Sequence, residues 1–87
     1  MIVRMWEAKV LPGRLDDAVD WLVEAVVPDA LGTDGCLGAE AFRAVGDEER
    51  VVLITRWEDE HAEDWEEGWP PERLWSRSHH WFFEPAT

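Results

Sequence analysis

The run Arg50-Val51-Val52-Leu53-Ile54-Thr55-Arg56-Trp57 decides the fold. Its unbroken aliphatic centre, rich in β-branched residues and preceded by the polar turn Gly46-Asp47-Glu48-Glu49, is the pattern of a strand with apolar neighbours on both faces. Before that turn, Cys36 to Ala44 reads as another strand, and its small residues Gly38, Ala39 and Ala41 imply the close approach of a neighbour. Together the two stretches predict an antiparallel hairpin.

On the N-terminal side, Ile2 to Val10 alternates, with Ile2, Trp6, Ala8 and Val10 on one parity and Val3, Met5, Glu7 and Lys9 on the other. Pro12-Gly13 ends that strand. From about Arg14, Leu15, Val19, Leu22 and Val26 fall at helical spacing, with Asp17, Asp20 and Glu24 opposite and Pro28 disrupting the bonding near the end. A short turn through Asp29 to Leu31 follows, and then the loop Gly32-Thr33-Asp34-Gly35. On the C-terminal side, Asp59 caps a helix from about Glu60, with Ala62 and Trp65 inward and Glu63, Asp64, Glu66 and Glu67 facing water. Gly68 breaks it, Pro70-Pro71 starts a short helix through about Arg77, and His80 to Pro85 is the terminal strand.

The predicted order, β-α-β-β-α-β, is the ferredoxin-like α+β arrangement, a four-stranded antiparallel sheet with two helices on one face. The other face is bare. Because Val3 and Met5 are as apolar as Ile2 and Trp6, that face is expected to pack on a second copy, making a homodimer.

A chain of 87 residues supports a single domain over 1–87, since half of it could not sustain its own core. Twenty acidic residues against eight basic ones give a net charge of −12, which repels nucleic-acid phosphates and anionic membranes. Cys36 has no disulfide partner, and no stretch reaches the ~18 apolar residues of a membrane span or the apolar run of a secretory signal, so a cytoplasmic protein is expected.

Seven tryptophans have two readings. They stiffen a thin core and a dimer interface, or they wall a pocket for a flat polycyclic substrate, for which Trp6, Trp65 and Trp69 are the candidates between sheet and helices. His79 and His80 are adjacent on an extended segment, so at most one of them enters a given pocket. His61, Glu63 and Asp64 diverge on a helix and predict no metal site. Cys36 lacks a visible base, and no phosphate loop, dinucleotide fingerprint or hydrolase elbow is present.

The segments Met1 to Arg14, Gly35 to Arg43, and Val51-Val52-Leu53-Ile54-Thr55-Arg56-Trp57-Glu58-Asp59 together resemble the antibiotic biosynthesis monooxygenase family of dimeric α+β barrels. The resemblance implies a small cofactor-independent monooxygenase acting on an aromatic or polyketide-like substrate. It implies His79 as the base, Arg56 or Arg73 as the stabiliser of the substrate anion, and Trp6, Trp65 and Trp69 as walls. A second implied reading is haem binding or degradation, since Gly68-Trp69 followed by His79 is similar to the haem-degrading branch, although Trp6 stands where that branch carries an asparagine. The third is a non-catalytic dimeric binding or assembly module whose tryptophans only pack.

Overall fold

The computed structural model describes residues 1–58 and 63–87. Strands β1 (Ile2–Val10), β2 (Cys36–Arg43), β3 (Arg50–Trp57) and β4 (Trp75–Phe83) form one antiparallel sheet in the order β2-β3-β1-β4. This is the expected ferredoxin-like α+β sheet, and the expected β2/β3 hairpin is its first half. Gly46 carries the hairpin turn at φ +91°, a conformation that favours glycine.

One helical rod crosses from β1 to β2. It begins as α1 (Leu15–Trp21), widens into a π turn (Leu22–Val26) and ends as α2 (Val27–Leu31). Pro28 explains the widening, because it has no N–H to donate to Glu24 and its ring crowds that carbonyl. Val27 bonds instead to the carbonyl of Leu22, five residues back. The consequence is a straight buried edge. Ala18, Leu22, Val26 and Ala30 are all buried at a constant spacing of four, which in a pure α-helix drifts by about 40° per step. The wider turn takes more residues per revolution and winds the line back towards the sheet.

Alternation gives the sheet two faces. Arg4, Trp6, Ala8 and Val10 of β1 and Val51, Leu53, Thr55 and Trp57 of β3 share the inner face and are buried. The opposite face presents Val3 and Met5 of β1, Val52 and Ile54 of β3, and the exposed Phe42, Trp81 and Phe83. Among the described residues nothing covers that apolar field. Arg50 pairs with Glu7, and Arg56 pairs with Glu40 at 2.8 Å at its rim.

The region after β3 differs from expectation. The start of the predicted second helix, residues 59–62 with His61, lies outside the described residues. Residues 63–74 form turns and irregular chain, and neither the helix through Glu67 nor the one after Pro70-Pro71 is present there. Two consecutive prolines remove two donors, and Trp69, preceding them, is pushed away from the α region. The terminal strand begins five residues earlier than the expected His80, because the buried Trp75 pairs with Val10 and a bulge at this point carries the chain into register as Lys9 opposite Arg77.

Truncating the buried edge of the rod should be costly. Leu22→Ala is expected to lower the unfolding free energy by about 2–5 kcal/mol in urea titrations. Val23→Ala, on the exposed side of the same turn, should change it by no more than about 0.5 kcal/mol.

Candidate functional site

The helical rod covers the β2/β3 half of the inner face, and residues 63–74 cover the β1/β4 half. That second covering is held by polar ties. Arg14 at the start of the rod donates to Glu72 at 2.7 Å and to Asp17 at 2.8 Å, and these hydrogen bonds, Glu72 first, raise its already high pKa. The N–H of Leu11 bonds to the Leu74 carbonyl at 2.9 Å. Arg4 makes a two-pronged pair with Glu67, Nη1 to Oε2 at 2.5 Å and Nη2 to Oε1 at 3.2 Å, and its guanidinium lies 5.6 Å from the centre of the Trp65 ring.

The tryptophans divide into two groups. Trp65 packs on Trp57 at 5.5 Å and donates its indole N–H to Asp29 at 3.0 Å, while Trp57 donates to Thr55 at 2.7 Å. Both are buried. Around Trp75 a second group assembles. Trp6 meets it edge-on at 5.1 Å, Trp21 lies tilted against it at 5.2 Å, and Trp69 stacks on its outer side at 5.9 Å with 24° between the planes. Trp75 is buried, whereas Trp69 is 83% exposed.

Two cavities flank this second group. The inner one, about 170 Å³, is lined by Arg4, Trp6, Trp69, Trp75, Ser78 and His80 together with Gly68 and the carboxylates Glu66 and Glu67. The outer one, about 500 Å³, lies between the 69–74 segment and the edge of β4, with Trp69, Arg73 and Trp75 among its walls. Trp69 and Trp75 border both.

This geometry sorts the expected site residues. Trp6 and Trp69 border the inner cavity, whereas Trp65 belongs to the packed pair with Trp57 and does not line it. Arg73 borders the outer cavity, with its Nε–H donating to the Trp75 carbonyl at 3.2 Å. His79 and Arg56 lie apart from the inner cavity. His79 is opposite Glu7 on the bare face, 6.0 Å from Trp81, and Arg56 is on that same face with Glu40, so the sheet separates both from Trp6 and Trp69. It is His80, opposite Trp6 in register, that reaches the inner cavity.

The sequence does not single out Trp75, Arg4 or Glu67 as site residues, and it offers His80 only as the neighbour of the preferred His79. Arg4 carried a signal, since it falls on the same parity as Trp6, Ala8 and Val10 and a charge on a buried parity needs a partner. The choice between His79 and His80 depends on the β1/β4 register, which the bulge between Trp75 and Arg77 sets. Among the described residues no cluster of three His, Cys, Asp or Glu side chains is placed to hold a metal, and no helix is long and apolar enough to cross a membrane.

The family model for antibiotic biosynthesis monooxygenase matches residues 1–68. No curated protein matches the chain significantly. Among solved structures, an antibiotic biosynthesis monooxygenase is similar with a TM-score of 0.75 at 16% identity, covering 100% of both chains. PA3566 from Pseudomonas aeruginosa is similar at 0.76 and 17%, over 99% of this chain and 94% of that one. A variant of MhuD with two manganese protoporphyrin IX molecules bound per active site is similar at 0.76 and 18%, over 100% of this chain and 96% of the other. At such identities the likeness is one of fold.

The Arg4–Glu67 pair generates a stability prediction. Glu67→Ala leaves a buried guanidinium uncompensated and should destabilise the protein by about 3 kcal/mol in urea unfolding. The double variant Arg4→Met, Glu67→Ala should recover most of that loss, because no buried charge then remains.

Proposed function

The chain belongs to the antibiotic biosynthesis monooxygenase family, and we propose that it is a cofactor-independent monooxygenase that oxidises an aromatic or polyketide-like substrate on the inner face of its sheet. One observation carries this reading. His80, the one histidine on that face among the described residues, borders the same cavity as Trp6, Trp69 and Trp75. An imidazole beside aromatic walls suits removal of a proton from carbon next to a flat ring system.

The balance of such a reaction needs no outside reductant. A methylene flanked by aromatic rings gives its proton to His80, and the resulting carbanion forms a bond to dioxygen. The hydroperoxide formed on reprotonation loses water, so that CH2 and O2 become C=O and H2O with every electron drawn from the substrate. Arg73, which borders the outer cavity with Trp69, balances the substrate's negative charge, since Arg4 of the inner cavity is already paired with Glu67.

The alternative of haem binding draws support from the MhuD likeness, but the residues here do not fit it. His79 and Trp69 are on opposite sides of the sheet, and Trp6 fills the strand-β1 position with a buried indole that packs on Trp75. A homodimer belongs to the proposed reading as well, formed by two bare faces that bury Phe42, Ile54 and Trp81 between them. The assembly-module reading accounts for that face but leaves His80 and the inner cavity without a role.

Three measurements check the proposal. With anthrone as substrate, oxygen uptake is expected to fall by about 100-fold or more in His80→Ala, and by less than about threefold in His79→Ala. A haem titration should give no Soret shift that depends on His79. In sedimentation, the native protein should run as a dimer at micromolar concentration, and Ile54→Glu on the bare face should produce monomers.

A further inference from the structure

The chain has eight lysine and arginine side chains against twenty carboxylates, so each cation has ready partners. Arg4, Arg14, Arg43, Arg50 and Arg56 are paired. Among the described residues Lys9, Arg73 and Arg77 make no such pair, and two of these three, Arg73 and Arg77, line the outer cavity of about 500 Å³. The acidic residue in its wall, Glu72, is already engaged by Arg14 at 2.7 Å.

The aromatic side of this groove has one fixed and one loose member. Trp75 is buried and braced from behind by Trp6 and Trp21. Trp69 touches the fold chiefly through its stack on Trp75, and it sits between Gly68, at φ +74°, and Pro70-Pro71. An indole left 83% exposed gains burial when a further apolar plane covers it. The two indoles stack with ring centres 5.9 Å apart, and a third plane between them needs their planes about 7 Å apart, twice the ~3.5 Å contact distance of carbon layers, so Trp69 has to swing outward to admit a ring.

We propose that Trp69 and Trp75 form a clamp for a planar aromatic anion, with Trp75 as the floor, Trp69 as the movable jaw and Arg73 as the partner of the anionic substituent. The clamp rests on the monooxygenase reading and narrows it, since it selects substrates that bear a carboxylate, sulfonate or phenolate on a fused ring system. It also places Trp69 as the partition between groove and inner cavity, so a ring held in the clamp projects towards His80.

Anthraquinone-2-sulfonate and its neutral counterpart 2-(hydroxymethyl)anthraquinone test this by calorimetry. The native protein should bind the sulfonate with a dissociation constant of about 10–100 µM. Trp69→Ala, at an exposed position that leaves the fold intact, should weaken binding of both compounds about tenfold, and Trp69→Phe should restore most of it. Arg73→Gln should weaken the sulfonate about tenfold and leave the neutral compound unchanged. Unaltered sulfonate affinity in Trp69→Ala or in Arg73→Gln, or no binding by the native protein at about 1 mM, overturns the clamp. His80-dependent oxygen uptake from anthrone alongside such a result overturns the clamp alone. Clamp-dependent binding without any oxygen uptake supports the clamp and overturns the reaction.

Discussion

Trp75 meets Trp6 edge-on at 5.1 Å, and through this contact the last strand is anchored to the first. Burial of the Trp75 indole fixes where β4 begins, the bulge beside it fixes the register with β1, and the register assigns every later β4 residue to a face. His80 and Phe82 go to the inner face, while His79, Trp81 and Phe83 go to the bare one. Shifting the strand by one residue would exchange the two histidines and the chemistry of both faces. A packing contact between two indoles thus decides which imidazole shares a face with Trp6.

Much of the fold was legible because local pattern and tertiary burial agree there. The aliphatic run at 51–54, the turn at Gly46 and the apolar spacing from Leu15 to Val26 each point to the element that forms. Pro28 announced a disturbance in the helix, and the π turn is that disturbance. The region after β3 was illegible for a physical reason. Its acidic residues and prolines satisfy helix-start rules locally, yet Arg4 draws Glu67 to the sheet, and Trp75 gains more from burial against Trp6 and Trp21 than a short helix would provide. The site was accordingly half legible. Trp6, Trp69 and Arg73 could be found as residue types in suggestive places, whereas His80 depended on a register that no residue spacing reveals.

The unequal cover of the inner face connects fold to function. The helical rod packs aliphatic side chains onto β2 and β3. Over β1 and β4, an irregular segment tied down by Arg14, Arg4 and the Leu11–Leu74 bond leaves two adjoining cavities separated by one exposed indole. Irregular chain on a rigid sheet is where binding groups are commonly placed, because the sheet holds position while the loop adapts. The acidic surface sharpens this arrangement, since cations left without carboxylate partners stand out against it.

The central claim is that substrate meets the inner face at Trp69 and Trp75 rather than the bare face at Trp81. The seven indole N–H groups give separate signals in a nitrogen–proton correlation spectrum, so one titration with anthraquinone-2-sulfonate reads both faces together. The account predicts that the Trp69 and Trp75 signals move most and saturate with a common dissociation constant, while the Trp81 signal stays in place. Saturable movement of Trp81 with Trp69 and Trp75 unmoved would contradict it.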